Sequence, residues 1–161
     1  MSEHRAFVAL GSNLDDPELQ VRNGLACLDA ISATRLVRAS RLYRTPPWGI
    51  LEQPAFVNAV AELATALAPH DLLAALQGIE DAAGRRRAER WGPRTLDLDL
   101  LSYDAERIHD GGLTLPHPQL AERAFVLVPL AELAPDLLLP NARTVVAQLA
   151  ELDCAGIQAL P

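Results

Sequence analysis

The chain has 161 residues, half of them hydrophobic and 22% charged, which suits one soluble globular domain (1–161) with a substantial core. A formal charge of −7 argues against a general nucleic-acid or anionic-membrane binder. No apolar run reaches ~18 residues, so no transmembrane helix is expected, and the N-terminus lacks the basic-then-apolar pattern of a secretory signal.

Residues 6–10 form a short apolar run ending at Gly11-Ser12-Asn13, which predicts a strand and a turn. Asp16, Pro17 and Glu18 then supply a cap, a first-turn proline and a first-turn acid. Val21, Leu25, Leu28 and Ile31 recur at helical spacing and predict an amphipathic helix over 17–32. Residues 35–44 are rich in β-formers and alternate imperfectly, predicting one exposed strand. Thr45-Pro46-Pro47-Trp48-Gly49 breaks regular structure and opens a loop to about Pro54. Over 56–65 the pattern is that of a strand, with Val57, Ala59, Ala61 and Leu63 on one face and Phe56, Asn58, Val60 and Glu62 on the other. Pro69 opens a second helix whose core face is Leu72, Leu76, Ile79 and Ala83, and Gly84 is placed to end it.

A basic segment follows. Arg85, Arg86, Arg87, Arg90 and Arg94 are accompanied by one acid, Glu89, and the loop holds Trp91, Gly92 and Pro93. The whole chain lacks lysine, so apart from histidine its basic side chains are all guanidinium groups, a shape suited to forked recognition of phosphate, although genomic composition bias explains the lack more readily than function does. A solvated loop is the ordinary fate of a charge run, but a loop carrying a tryptophan tends to fold onto something. One or two of the five arginines are therefore expected to be solvent-exposed and the others to face a ligand.

The loop runs into Leu96-Asp97-Leu98-Asp99-Leu100-Leu101. Side chains two apart on a strand share a face, with Cα atoms roughly 6.5–7 Å apart. Leucines flank both acids, which predicts a central strand with Leu96, Leu98 and Leu100 on the opposite face. Two carboxylates on one face of a central strand repel each other unless a cation neutralises them, so Asp97 and Asp99 are read as metal ligands. Carboxylates for metal beside arginines for phosphate point to phosphate chemistry.

Residues 102–115 predict a hairpin around Gly111-Gly112, closed by Pro116-His117-Pro118. Gln119 to Leu133 predicts one or two short helices interrupted at Pro129. Thr144 is placed to cap a last helix with Val145, Leu149 and Leu152 facing inward. Cys27 and Cys154 form no C-x-x-C pair, so two buried thiols in a reducing cytoplasm are expected rather than a disulfide or a zinc site. Strand-helix-strand-strand-helix-strand followed by helices is a split βαβ order. The expected fold is α+β, a ferredoxin-like sandwich around a mostly antiparallel central sheet.

Other residues carry weaker signals. Gln77 and Glu80 lie at i and i+3 on the second helix, which ends at the arginine loop. An aromatic face plus an amide, as in Phe56 with Asn58, suits a flat heterocycle. Pattern alone divides Phe56 and Phe125 evenly between core packing and such a clamp. His117 and Arg123 are unremarkable taken singly. No P-loop and no G-x-S-x-G motif occurs.

Taken in order, Gly11-Ser12-Asn13, Tyr43-Arg44-Thr45-Pro46-Pro47, Gln53-Pro54-Ala55-Phe56-Val57-Asn58, the block from Arg90 to Asp99, and Leu115-Pro116-His117-Pro118 with Arg123 and Phe125 resemble the 6-hydroxymethyl-7,8-dihydropterin pyrophosphokinase family. The likeness runs from about residue 6 to Pro140. It implies a folate-pathway enzyme that moves the β,γ-pyrophosphoryl group of ATP onto the pterin hydroxymethyl oxygen and releases AMP. It further implies that Asp97 and Asp99 hold two Mg²⁺ ions. Thr45, Pro46 and Trp48 would line the pterin site, Asn58 would bond the pterin edge, and Phe56 and Phe125 would sandwich the ring. Gln77, Glu80, Arg87, Trp91, Arg94, Leu100, His117 and Arg123 would contact ATP, and Arg85 and Arg94 would serve catalysis as the arginine and Pro-Pro-Trp-Gly loops close.

The chain departs from the family at Phe56, where tyrosine is frequent. It departs also at Ala88, where some members have a basic residue, and at Pro118, where some have an aromatic. The expected partners are small molecules only, with no nucleic acid or membrane, and the expected state is a cytoplasmic monomer. Two rival readings use the same residues: a metal-dependent phosphodiesterase or nuclease, and a non-catalytic ferredoxin-like sensing module.

Overall fold

The computed structural model describes residues 3–14, 16–46, 54–84 and 95–161. In chain order the elements are β1 (His4–Ser12), α1 (Pro17–Asp29), β2 (Thr34–Ala39), β3 (Tyr43–Thr45), β4 (Phe56–Thr65), α2 (Pro69–Ala82) and β5 (Asp97–Tyr103). There follow the short strands β6 (Ile108–Asp110) and β7 (Leu113–Leu115), a 3₁₀ turn (Leu120–Glu122), α3 (Ala124–Leu133), α4 (Val145–Leu149) and β8 (Gln158–Ala159).

The main sheet is antiparallel at every pairing, in the order β5-β1-β4-β3-β8, with β2 sharing the edge of β4 beyond β3. This is the split βαβ arrangement with an added layer. Residues 6–10 of β1 are a continuous apolar run because the strand is buried on both faces there. Ala6, Val8 and Leu10 join Leu63, Val21, Leu28, Leu72 and Leu76 in the core beneath α1 and α2. Phe7 and Ala9 join Val60, Leu101, Val126, Leu127 and Leu130 in the core beneath α3. Leu96, Leu98 and Leu100 enter the α1/α2 core as their alternation requires, which leaves Asp97 and Asp99 on the α3 side.

Four expectations need correction. β5 is an edge strand, paired to β1 alone in the sheet, rather than a central one. It reads as central because leucines flank both aspartates, and those leucines are buried in the α1/α2 core. Residues 35–44 form two strands: Ser40 exchanges bonds with Val60, its N–H donating to the Val60 carbonyl and its Oγ accepting from the Val60 N–H, both at 2.9 Å. Pro129 does not interrupt α3, and the break falls at Arg123. Proline inside a helix costs about 3 kcal/mol. Burying Val126, Leu127, Leu130 and Leu133 returns ~1.5–3 kcal/mol each and outweighs it. Finally, Cys27 is exposed and Cys154 half-buried, and the two are free thiols.

Smaller differences are local. α1 stops at Asp29; beyond it Ala33 takes a left-handed conformation (φ 54°), and Asp29 Oδ1 accepts the Leu36 N–H (2.8 Å) near the start of β2. Asp16 and Thr144 cap their helices as expected. Leu152 lies beyond the end of the five-residue α4, yet packs against the α3 core with Leu149. β8 has two residues, too few for any periodicity to announce.

Strands β1, β2 and β4 are tied by one carboxylate. Glu62 on β4 accepts from Arg5 Nε on β1 (3.1 Å) and from Arg38 Nε on β2 (3.0 Å), while Arg38 Nη2 donates to the Leu133 carbonyl at the end of α3. Burial pushes the Glu62 carboxyl up, but the bonds and charges of Arg38 and Arg5 outweigh it and hold the group below its ordinary 4.5. Glu62→Gln is expected to lower unfolding free energy at pH 7 by about 1–3 kcal/mol, measured in urea. A folded pKa below the unfolded one means the unfolded chain takes up the proton first. The gap between wild type and variant is therefore full above pH 4.5 and closes as the pH falls through the depressed value. A gap unchanged on acidification would show that the charge of Glu62 contributes nothing.

Candidate active site

Three strands deliver chemistry to one end of the sheet. Gly11, near the end of β1, pairs with Asn58 on β4 and with Asp97 on β5. Ala9, two residues earlier, pairs with Asp99. Directly opposed residues share a face, so Asn58, Asp97 and Asp99 all lie on the α3 side. At a strand spacing of ~4.8 Å, Asn58 and Asp97 stand about 10 Å apart across Gly11. That distance sets a planar ligand beside a carboxylate pair.

The Asn58 amide is tightly held. It is 7% exposed, and its Nδ2 donates to Oγ1 of Thr45, itself 1% exposed, at 2.6 Å. Thr45 pairs with Phe56, which sits half-buried at the start of β4. Pro46 is exposed beside them. Asn13, buried at the end of the β1 segment, donates from Nδ2 to the Pro54 carbonyl (3.0 Å) and fastens the chain just ahead of β4. The Gly-Ser-Asn run marked this place in the sequence, but nothing there indicated that Asn13 is an anchor.

On the carboxylate side, Arg123 precedes α3 with its side chain 12% exposed. Its Nη1 pairs with Asp99 Oδ2 (3.4 Å) and its Nη2 donates to Gln119 Oε1. Its buried Nε has no partner among the described residues. Its guanidinium lies over the Phe125 ring, 5.8 Å from the centroid. Phe125 is half-buried in the first turn of α3 and packs against that core.

His117 reaches the same corner from the other direction. Its N–H donates to the Leu101 carbonyl (2.9 Å) on the open edge of β5, and its Nδ1 accepts the Gln119 N–H (3.2 Å). An accepting Nδ1 is unprotonated, so the neutral ring carries its hydrogen on Nε2. Burial and the charge of Arg123 lower the His117 pKa to about 4, against an opposing pull from Asp97.

The i, i+3 pair on α2 separates. Gln77 is exposed, whereas Glu80 is 2% exposed and its Oε2 accepts the Leu98 N–H at 2.8 Å. Leu98 stands between the two aspartates, so Glu80 fixes the main chain that carries them. Leu100 buries its side chain in the α1/α2 core, leaving its main chain as the part that can meet a ligand. The structure thus gathers Asn58, Thr45, Asp97, Asp99, Arg123 and His117 at one end of the sheet, and leaves the Gln77 and Leu100 side chains outside that group. Trp48, Arg85, Arg87, Trp91 and Arg94, together with Arg86, Ala88 and Arg90, lie outside the described residues. Gln119, which holds both His117 and Arg123, carried no sequence signal.

A family model described as 7,8-dihydro-6-hydroxymethylpterin-pyrophosphokinase (HPPK) matches residues 7–135. The chain is 50% identical over 157 residues to the 2-amino-4-hydroxy-6-hydroxymethyldihydropteridine pyrophosphokinase of Pseudomonas aeruginosa, covering 98% of this chain and 97% of that one. It is 48% identical over 140 residues to the protein of the same name from Haemophilus influenzae, covering 87% and 88%. Among solved structures, Plasmodium falciparum HPPK-DHPS, wild type with STZ-DHP, superposes with a TM-score of 0.73 at 13% identity. The superposition covers 93% of this chain but 43% of that one, so the chain spans less than half of the solved protein, and the likeness is one of fold.

Glu80→Leu removes the acceptor of a buried main-chain N–H and is expected to cost about 1–3 kcal/mol in urea unfolding, with Glu80→Gln milder because its amide oxygen still accepts. Equal losses in both variants would mean the bond to Leu98 is not what stabilises β5. In the ligand-free protein, NMR titration of His117 should show a midpoint near 4 and a neutral ring from pH 6 upward. Its folded pKa lies below the ordinary 6.5, so its contribution to stability is full above 6.5 and is lost as the pH falls toward 4. A midpoint near 6.5 would contradict this environment.

Proposed function

The chain belongs to the 7,8-dihydro-6-hydroxymethylpterin-pyrophosphokinase family, and we propose how its residues share the work of that reaction. It transfers pyrophosphate from ATP to 6-hydroxymethyl-7,8-dihydropterin, giving the pterin diphosphate and AMP, in folate biosynthesis. The observation that carries the assignment of roles is the row Asn58–Gly11–Asp97, which sets an amide clamp and a carboxylate pair on the two strands that flank β1.

Asp97 and Asp99 would hold Mg²⁺, two ions in this reading. Their oxygen donors suit that hard cation. No group of three or more ligating side chains occurs among the described residues. A carboxylate pair fits Mg²⁺ all the same, because the ion is usually bound through one or two carboxylates with phosphate oxygens and water completing the shell. Bound there, the metal supplies charge neutralisation for the triphosphate.

The chain's own groups do the rest. Asn58 presents a fixed amide to the donor and acceptor edge of the pterin, supported by Thr45 and Pro46, and with Trp48 lining the site. Phe56 and Phe125 flank the ring. His117 offers a neutral Nε2–H, and Arg123 offers cationic donors in a largely buried place where they act strongly. Gln77, Arg87, Trp91 and the Leu100 main chain complete the ATP contacts, with Glu80 supporting them through the Leu98 main chain that it holds. Arg85 and Arg94 neutralise charge on the transferred phosphoryl and departing AMP oxygens, since transfer of this kind rests on positioning and electrostatics. The reading includes a cytoplasmic monomer. No helix among the described residues is long and apolar enough to cross a membrane.

The test is pterin-dependent AMP release from ATP and Mg²⁺. Asp97→Ala and Asp99→Ala should each lower turnover by at least ~10³-fold, because metal and charge placement are lost together. Near-normal AMP production by both variants would remove the aspartates from the metal role.

A further inference from the structure

We propose that Gly11 is a positioning residue for pterin recognition, its missing side chain making the space in which the Asn58 amide sits. The inference rests on the reading of Asn58 as the ligand of the pterin edge. Gly11 lies within β1 in ordinary extended backbone, so no unusual φ requires a glycine there. What requires it is the neighbour. A Cβ added at Gly11 would lie 2.6 Å from Asn58 Oδ1 and 3.7 Å from its Cγ. A carbon and an oxygen do not approach that closely without displacement, so the amide must move.

Asn58 has little room to move. Its Nδ2 is bound to Thr45 Oγ1 at 2.6 Å, and both residues are buried. Pushing Oδ1 away turns the amide about the bond that fixes it. The donor and acceptor that the pterin reads are then misaligned while the strand itself is intact, for alanine suits a strand interior better than glycine. A Cβ at Gly24 would meet Leu10 Cδ2 at 3.0 Å and one at Gly156 would meet Pro46 Cγ at 2.9 Å, whereas at Gly11 the atom met is the oxygen of a buried amide whose other end is hydrogen-bonded. Asp97 pairs with Gly11 from the other side but does not appear among the atoms nearest that added carbon. The effect is thus directed at the pterin half of the site.

Gly11→Ala, Asn58→Ala and the double variant separate the possibilities by steady-state kinetics for both substrates and by melting temperature. Loss of one well-aligned hydrogen bond is worth about tenfold. Gly11→Ala should therefore raise the pterin KM about tenfold, leave the ATP KM unchanged and keep the melting temperature. In the Asn58→Ala background the same change should have no further effect, since the atoms it displaces are gone. An unchanged pterin KM in Gly11→Ala overturns the proposal. So does a full-sized effect that persists without Asn58, which would mean the methyl group obstructs the pterin itself. If Asn58→Ala alone leaves the pterin KM unchanged while Gly11→Ala raises it, the reading of Asn58 fails, and the mediation proposed here fails with it. Should Gly11→Ala be too unstable to assay, the double variant should recover the melting temperature of Asn58→Ala, the same coupling read through stability. No recovery would overturn it.

Discussion

The register of β1 is the constraint on which the site depends. The strand is held between β4 and β5, so a single position on it, Gly11, decides what stands opposite on both sides. Strand side chains alternate with a period of two, and a slip of one residue turns every side chain to the other face. Such a slip in β5 would send Asp97 and Asp99 into the α1/α2 core and bring Leu98 and Leu100 out of it. The apolar alternation of β1 and β5 therefore specifies the placement of the carboxylates. The energy that fixes the chemistry is the burial of leucines that take no part in it.

A strand at the edge of a sheet has one row of main-chain groups without a neighbour. Here that row is answered by side chains and loops. Glu80 takes the Leu98 N–H, and the His117 N–H takes the Leu101 carbonyl. These two bonds link α2 and the segment ahead of α3 to the strand carrying both aspartates. Gln119 continues the connection, its N–H fixing His117 and its side chain holding Arg123 against Asp99. Residues from three separated stretches of chain thus form one polar assembly around β5.

Much of this was legible in the sequence, because much of it is periodic. The two faces of β4, the core stripes of α1 and α2, and the leucines opposite the aspartates follow from spacing alone. What was not legible came from contacts between distant segments. Ser40 divides β2 from β3 because it meets Val60, and no local pattern announces that meeting. Pro129 sits within α3 because the burial of its neighbours outweighs a broken ladder. Glu80 looks like any exposed helix acid until Leu98 is known to lie above it. The aspartate pair could be read as a metal site from chemistry alone. The pterin and ATP roles of Asn58, Thr45 and His117 came from resemblance, since an amide, a hydroxyl and an imidazole have too many ordinary uses to be distinguished by spacing.

The placement of β1 also sets a schedule for synthesis. It is the first strand made, yet one of its two partners, β5, lies roughly 90 residues downstream, a delay on the order of 5–20 s at ribosomal speeds of about 5–20 residues per second. Through that interval a strand buried along most of its length has an unpaired edge while its neighbours are still being translated. The nascent chain is then most open to association with other chains or capture by chaperones, and β4, which arrives first, must shield β1 alone.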